Sequence, residues 1–361
     1  MPKLQELLVE RKDLTNSKIV TKRVPKPADG QILVSIDKFG LTSNNVSYGV
    51  SGDLIGYWNY FPAQEQWGKI PVWACGNVTE SNSDDIKVGE RLWGFFPMSS
   101  HVILTPGNVV NDQFTDMVSH RAKLPSMYNH YRRTAAEPEI LTQMENERCL
   151  LFPLFTTSFV LSDYLNHHDF FGADQVIIGS ASSKTAFGLA QLLSCDPNHS
   201  KKIIGITSAG NEEFVRSLEI YDDVVLYNQE DSIDPSVTTA YVDMSGDKNL
   251  TTRIHNHIKG NIVESCLVGA THWKDGGRLE TLPGKKPTFF FAPGYIGKRD
   301  EELGKGQMMM RGMMAGAQIS TALKGKLDIE WIKTAEGLQD AWNGMLENRI
   351  NPKNGLMVSL A

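Results

Sequence analysis

The chain has 361 residues, of which 41% are hydrophobic and 22% charged, with a net charge of −6. That length suits about two domains with sizeable cores, and the mild acidity argues against the basic footprint of a nucleic-acid binder. Cys75, Cys149, Cys195 and Cys266 are far apart and form no CxxC pair, which argues against a zinc ribbon or a disulfide framework and fits reduced thiols in the cytoplasm.

The opening run MPKLQELLVERKDLTNSK is charged and lacks an apolar h-region, so no signal peptide is expected. No stretch reaches the roughly 20 apolar residues of a membrane helix. Residues 1–110 read mostly as strand. Lys18–Arg23 and Gln31–Phe39 have β composition and are separated by a turn carrying Pro25, Pro27, Asp29 and Gly30. Ile70–Glu80 and Arg91–Phe96 follow, and the punctuation by Gly and Pro predicts a sandwich or barrel-like β domain. Residues 44–68 hold many aromatics but no clean period, which predicts a long irregular loop, either functional or pinned by its own rings. Residues 107–148 read as a polar connection with some helix.

From residue 150 the pattern changes. LFPLFTTSFVLSDYLNHH predicts an apolar helix, and QVIIGSASSKTAFGLAQLLSC a strand, a tight polar turn and a helix. KKIIGITSAGNEEFVRSLEIYDDVVLY repeats strand, helix and strand. TAYVDMSGD, IVESCLVGATHW and PTFFFAPGY add further apolar strands. Short apolar strands alternating with helices predict a doubly wound parallel sheet. After a helical stretch near 300–324, LDIEWI, a helix at AEGLQDAWNGMLEN and a strand at GLMVSLA form a tail able to return to the N-terminal β domain.

The turn GSASSKT carries the chemistry. A helix start offers unpaired N–H groups and a positive dipole end, which stabilise a phosphate. The dinucleotide fingerprint wants three glycines there. Here only Gly179 remains, with Ser182, Ser183 and Thr185 in the other places; Ser180 and Ala181 complete the turn and Lys184 adds a cation. An ordinary βα turn capped by Ser182 or Ser183 is the structural alternative. A P-loop would need glycines at Ile178 and Ser183, and both are missing. The next strand ends in Thr207 and Ser208, followed by Asn211, with no carboxylate to hold ribose hydroxyls. That favours NADP over NAD, with Ser208, Asn211 and Arg216 as 2′-phosphate candidates.

In their order and spacing these segments resemble the medium-chain dehydrogenase/reductase superfamily, on its zinc-free, quinone-reductase-like side, in a divergent bacterial branch. QILVSIDKFGLTSNNVSYG, IPVWACGNVTES, IKVGERLWGF, FTTSFVLSDYL and VIIGSASSKTAFGLAQLL carry the likeness. The resemblance implies an α/β protein with a GroES-like β-barrel catalytic domain (1–150, completed by 325–361) and a doubly wound Rossmann domain (151–324). It also implies a cleft between them and a homodimer. Thr156 on the entering helix, together with Asp243, Met244, Ser245, Gly246, Val268 and Gly269 at strand ends, would border the cofactor; Asp243 alternatively caps its own turn. The zinc-ligand sets of related alcohol dehydrogenases are missing, so no metal is expected. Tyr48 is the first candidate for polarising or protonating the substrate, with Asn45 beside it. Asn44, Tyr57, Trp58 and Tyr60 are candidate substrate walls. The expected activity is hydride transfer from NADPH to an enone, quinone or activated carbonyl on a small molecule. A non-catalytic nucleotide sensor and a non-redox acyl-processing enzyme are the alternatives.

Overall fold

Alternating apolar residues at the N-terminus build a strand that the sequence reading passed over. β1 (Lys3–Glu10) buries Leu4, Glu6, Leu7 and Val9 and pairs antiparallel with β2 (Ser17–Arg23). A computed structural model of the chain describes residues 3–197, 200–268 and 281–360. It divides into two compact units, Met1–Leu150 with Asp328–Ala361, and Leu151–Leu327.

In the first unit, β3 (Ile32–Leu41) and β5 (Pro71–Ser81) are long, mostly buried strands, as their apolar runs require. Between them lie two helices, α1 (Ser43–Val50) and α2 (Gly52–Ile55), a single 3₁₀ turn at Tyr57–Asn59, and the short β4 (Trp67–Gly68). The irregular loop expected over 44–68 is therefore largely helical. Thr42 is the N-cap of α1, and Asn45 closes a capping box with it, its Oδ1 accepting from the Thr42 N–H at 2.7 Å. Gly56 ends α2 at φ 92°, where a side chain would be strained.

Then come β6 (Arg91–Pro97), β7 (His101–Leu104), β8 (Pro106–Gly107), β9 (Gln113–Asp116) and β10 (His130–Arg133), with the short helices α3 (Glu139–Thr142) and α4 (Glu145–Leu150). The region read as a polar connection thus adds strands to the sheet. Two buried ion pairs fix it: Arg121 with Asp116 at 2.9 Å and Arg148 with Glu137 at 2.7 Å. The tail supplies β17 (Asp328–Ile332), α11 (Ala335–Leu346) and β18 (Asn354–Val358). β18 pairs antiparallel with β3, Leu356 opposite Leu41. On α11, Leu338, Trp342 and Met345 recur at helical spacing and are buried, and the Trp342 Nε1 donates to the Leu14 carbonyl at 2.9 Å.

The second unit opens with α5 (Phe152–His167). β11 (Gln175–Gly179), α6 (Lys184–Ser194), β12 (Lys202–Thr207), α7 (Glu212–Ser217), β13 (Asp223–Leu226) and β14 (Thr239–Asp243) follow. α8 (Lys248–Ile258), β15 (Ile262–Leu267), β16 (Thr288–Phe289), α9 (Ala292–Leu303) and α10 (Gln307–Ala322) complete it. Among the described residues the strands form three sheets: β2-β1-β4, a nine-stranded sheet running β17-β18-β3-β5-β6-β10-β9-β8 with β7 on β3, and the six-stranded β13-β12-β11-β14-β15-β16. All pairs in the last are parallel. Its order reverses direction between β11 and β14, the place where open α/β sheets accept ligands. No described helix is long and apolar enough to cross a membrane.

Candidate functional site

β11 is buried at all five residues and ends at Gly179, level with Ile206 on β12 and Asp243 on β14. The chain then turns through Ser180, Ala181, Ser182 and Ser183 into α6. The left-handed residue of this turn is Ser180, at φ 56°. Gly179 is the one glycine of the fingerprint positions, but it is not the left-handed residue. Gly179 is small for another reason, since a Cβ there would lie 2.6 Å from the Asp243 Oδ1. A serine therefore carries the backbone strain that a glycine there would avoid.

The turn's own groups are largely engaged. The Ala181 N–H donates to the Ile206 carbonyl and the Ser183 N–H to the Ser180 carbonyl, both at 2.8 Å. Ser183 caps α6 by accepting from the Ala186 N–H, as the structural alternative required. The Tyr221 hydroxyl donates to the Ala181 carbonyl at 2.9 Å, and the Thr185 carbonyl accepts from the Ser158 hydroxyl at 2.8 Å. Asn211 does reach the turn: its Nδ2 donates to the Ser182 Oγ at 3.1 Å. Ser180, Ser183, Lys184 and Thr185 are half-buried, whereas Ala181 and Ser182 are buried. Burial lowers the Lys184 ammonium to about 8. An anion beside it would reverse that shift.

Two tyrosines absent from the sequence reading flank the turn. Tyr221 packs where Gly205 leaves room, a Cβ there lying 2.8 Å from its ring. Tyr227 follows β13, and burial, then the charge of Asp243, push its phenol up to about 12 while a hydrogen bond with Ser180 pulls the other way. Neither has a fingerprint position; only their place after strand β12 could have flagged them.

Asp243 is fully buried, and its carboxylate accepts from the Ser245 N–H (3.0 Å), the Ser245 hydroxyl (2.6 Å) and the Gly246 N–H (2.9 Å). Burial raises its pKa against these hydrogen bonds. Its side chain is thus a cap for the turn after β14, beside which Met244, Ser245 and Gly246 are half-buried. The Val268 N–H donates to the Asp243 carbonyl at 2.8 Å, tying the ends of β14 and β15 together. Gly269 lies outside the described residues. Two expected cofactor residues are buried. Thr156 packs against α10, a Cβ on Gly312 falling 2.8 Å from its methyl carbon, and Thr207 is 1% exposed at the end of β12. Ser208 is half-buried at that strand end, while Arg216 is held by Glu212 at 2.9 Å and by the Val224 carbonyl.

In the β-rich unit, the expected substrate residues form an aromatic cluster. Tyr48 lies 4.4 Å from Tyr57, centroid to centroid, and 5.6 Å from Phe95 in an edge-on arrangement. Tyr128, from the region read as a connection, joins them: its hydroxyl is 3.2 Å from that of Tyr57, and its ring 4.6 Å from Phe95. The Tyr60 hydroxyl donates to the Pro125 carbonyl at 3.1 Å. Burial raises the phenols of Tyr48, Tyr57 and Tyr60 above their ordinary range.

Two of the expected residues have packing or capping roles. Asn45, expected as catalytic, is 3% exposed and donates through Nδ2 to the Pro71 carbonyl at 2.9 Å while its oxygen caps α1, so it positions Tyr48's helix. Trp58, expected as a substrate wall, is 1% exposed and sits against Gly52 and Gly68, where Cβ atoms would lie 2.3 and 2.4 Å from its ring. It is a core residue. Asn44 is half-buried on α1. Among the described residues, no group of three or more His, Cys, Asp or Glu side chains is placed to hold a metal ion.

A family profile described as protein of unknown function (DUF2855) matches residues 39–351, and the chain belongs to that family. No curated protein matches the sequence. Among solved structures, CurA from Vibrio vulnificus in complex with NADPH aligns with a TM-score of 0.63 at 12% identity, over 99% of both chains. The quinone oxidoreductase from Coxiella burnetii aligns at 0.56 and 14% identity over 100% of both. The yhdH oxidoreductase from Salmonella enterica in complex with NADP gives 0.53 and 12% over 99% of this chain and 100% of that one. At such identities the likeness establishes the fold, that of the medium-chain dehydrogenases/reductases: an antiparallel β-rich domain of GroES type and a Rossmann domain with a six-stranded parallel sheet.

Proposed function

We propose that the chain is an NADPH-dependent reductase that passes a hydride to an enone, quinone or activated carbonyl of a small molecule, without zinc and as a homodimer. The observation that carries this reading is the β11–α6 turn. At the point where the parallel sheet reverses, hydroxyls and an ammonium gather around the N-terminus of an eleven-residue helix. The donor set suits a diphosphate: Ser180, Ser182 and Lys184 would hold it, and Ser208 and Asn211 would meet the ribose phosphate. Solved relatives of the same fold carry NADPH and NADP.

The bound nicotinamide supplies the hydride. What the chain supplies is orientation and charge stabilisation. Met244, Ser245, Gly246 and Val268, at the carboxyl ends of β14 and β15, would hold the nicotinamide side. Tyr48, whose phenol burial holds above its ordinary pKa, keeps its proton throughout the physiological range. It therefore serves as a hydrogen-bond donor to the substrate oxygen, stabilising the developing enolate, and the carbon-bound proton comes from water.

The test pairs binding with turnover. NADPH should raise the Tm more than NADH does, and NADPH absorbance should fall with at least one member of an enone and quinone panel. A Tm shift without turnover on any member would leave a nucleotide-binding protein. The absence of any shift would remove the proposal.

A further inference from the structure

The described thiols outside both clusters include one close pair. Cys75, in β5, and Cys149, in the last turn of α4, place their sulfurs 3.8 Å apart, and both are buried. Cys75 lies opposite Lys38 of β3 and Trp93 of β6. α4 is fastened over this patch by several groups. Glu145 takes the Arg91 guanidinium through two oxygens, at 2.5 and 2.7 Å, and Lys38 at 2.8 Å. Arg148 is paired with Glu137 and lies 4.4 Å over the Trp93 ring. The Cys149 carbonyl lies so close to Gly40 that a Cβ there would be 2.4 Å away. The helix is thus pressed against the sheet, and the two sulfurs cannot drift apart without breaking several contacts.

We propose that Cys75 and Cys149 are a modification site, closing to an intramolecular disulfide when the protein meets a peroxide. A disulfide needs its sulfurs roughly 2.0 Å apart, so each has to move by less than about 1 Å, within reach of side-chain rotation. The chemistry balances with a peroxide as the two-electron oxidant. One sulfur, as thiolate, attacks a peroxide oxygen; the O–O bond breaks, and a sulfenic acid and water form. The second sulfur then displaces the sulfenic oxygen; the S–O bond breaks, the S–S bond forms and a second water leaves with the thiol protons. Cys149 is the first nucleophile, because it retains slight exposure and Cys75 none. Burial and the neighbouring thiol hold its pKa up, but Arg148 and Lys38 favour its anion. A dithiol reductant reverses the bond. The other two cysteines serve as internal references. Cys195 is exposed, and Cys266 is buried beside Glu264, 3.6 Å from its carboxylate.

The experiment uses the full chain carrying Cys195→Ser, a change at an exposed position, exposed to hydrogen peroxide and in parallel to diamide, then denatured and alkylated. The expected result is a fall from three titratable thiols to one per chain, a digest peptide linking residues 75 and 149, restoration by dithiothreitol and a raised Tm in the oxidised form. Adding Cys149→Ser should leave both remaining thiols intact. The proposal is overturned if all three thiols survive oxidant that fully consumes Cys195 in the unsubstituted protein. Conversion of Cys149 to a sulfinic acid without a link, or consumption of Cys266 instead of the pair, would overturn it equally. The primary readout needs no substitution within the pair, so a folding defect in the second variant would not obscure it.

Discussion

Hydroxyl-bearing side chains crowd two places, and they do different things in each. In the β-rich unit, Tyr57 and Tyr128 share their phenols and the Tyr60 hydroxyl donates to Pro125, with rings packed edge to face, and Trp58 is locked against Gly52 and Gly68. In the parallel-sheet unit, Ser180, Ser183, Lys184 and Thr185 stay half-buried around a helix start. The first arrangement is a folded core with one candidate donor on it, Tyr48; the second is a polar rim around a dipole. Aromatic density in a sequence therefore speaks for packing, whereas small polar residues after a buried strand mark a half-buried helix start.

The largest effect that would break this contrast lies at Trp58. Trp58→Ala should cost about 3–5 kcal/mol in urea denaturation; a loss near zero would return that residue to a binding surface. Next comes Lys184→Glu, which should weaken NADPH binding by about tenfold or more, about 1.4 kcal/mol, with little change in the Tm of the protein alone. Calorimetry showing unchanged affinity would take Lys184 out of the phosphate site.

The same lysine sets a pH dependence. Its pKa of about 8 in the folded protein lies below the ordinary 10.5, so between those values the unfolded chain binds a proton that the folded chain does not. Stability from this group accordingly rises with pH across that window and is constant below it. Phosphate favours the charged form, so binding takes up protons and NADPH affinity should fall as pH rises through about 8. A flat profile in the wild type, or a slope that persists in Lys184→Met, would contradict this.

Much of this was legible in the sequence, and the parts that were not share a cause. The parallel sheet was read from QVIIG, KKIIGIT and TAYVD because strands buried on both faces have no polar alternation to confuse. The turn was placed correctly, but which of its residues is left-handed was not legible. The positive φ of Ser180 belongs to the folded turn, and Gly179 is kept small by Asp243, which is distant in sequence and brought beside it by β-sheet register. Likewise, Asn45 and Thr156 looked like site residues because hydroxyls and amides near a strand end or helix start usually are. Their partners, Pro71 and Gly312, were visible only after folding. Tyr128 was missed because its segment has no period; a buried ion pair, Arg121 with Asp116, orders it instead.

Two smaller effects sharpen the contrast. Ser180→Gly should stabilise the protein by about 1 kcal/mol, by relieving a left-handed serine, and should keep NADPH binding; a loss of stability would show that the Tyr227 contact outweighs the strain. Tyr57→Phe should cost under about 1 kcal/mol and leave turnover nearly unchanged. A large loss of activity would make the Tyr57–Tyr128 pair part of the chemistry.

The position of β18 has a consequence for how the chain comes into being. It lies in the nine-stranded sheet between β17 and β3, with Val358 facing Phe39 across more than three hundred residues of intervening chain. On a ribosome, the parallel-sheet unit is finished and free to fold while its companion still shows the bare flank of β3. Assembly is therefore ordered in time, and the gap at β3 stays a place for chaperones or unwanted strands until residues 354–358 emerge.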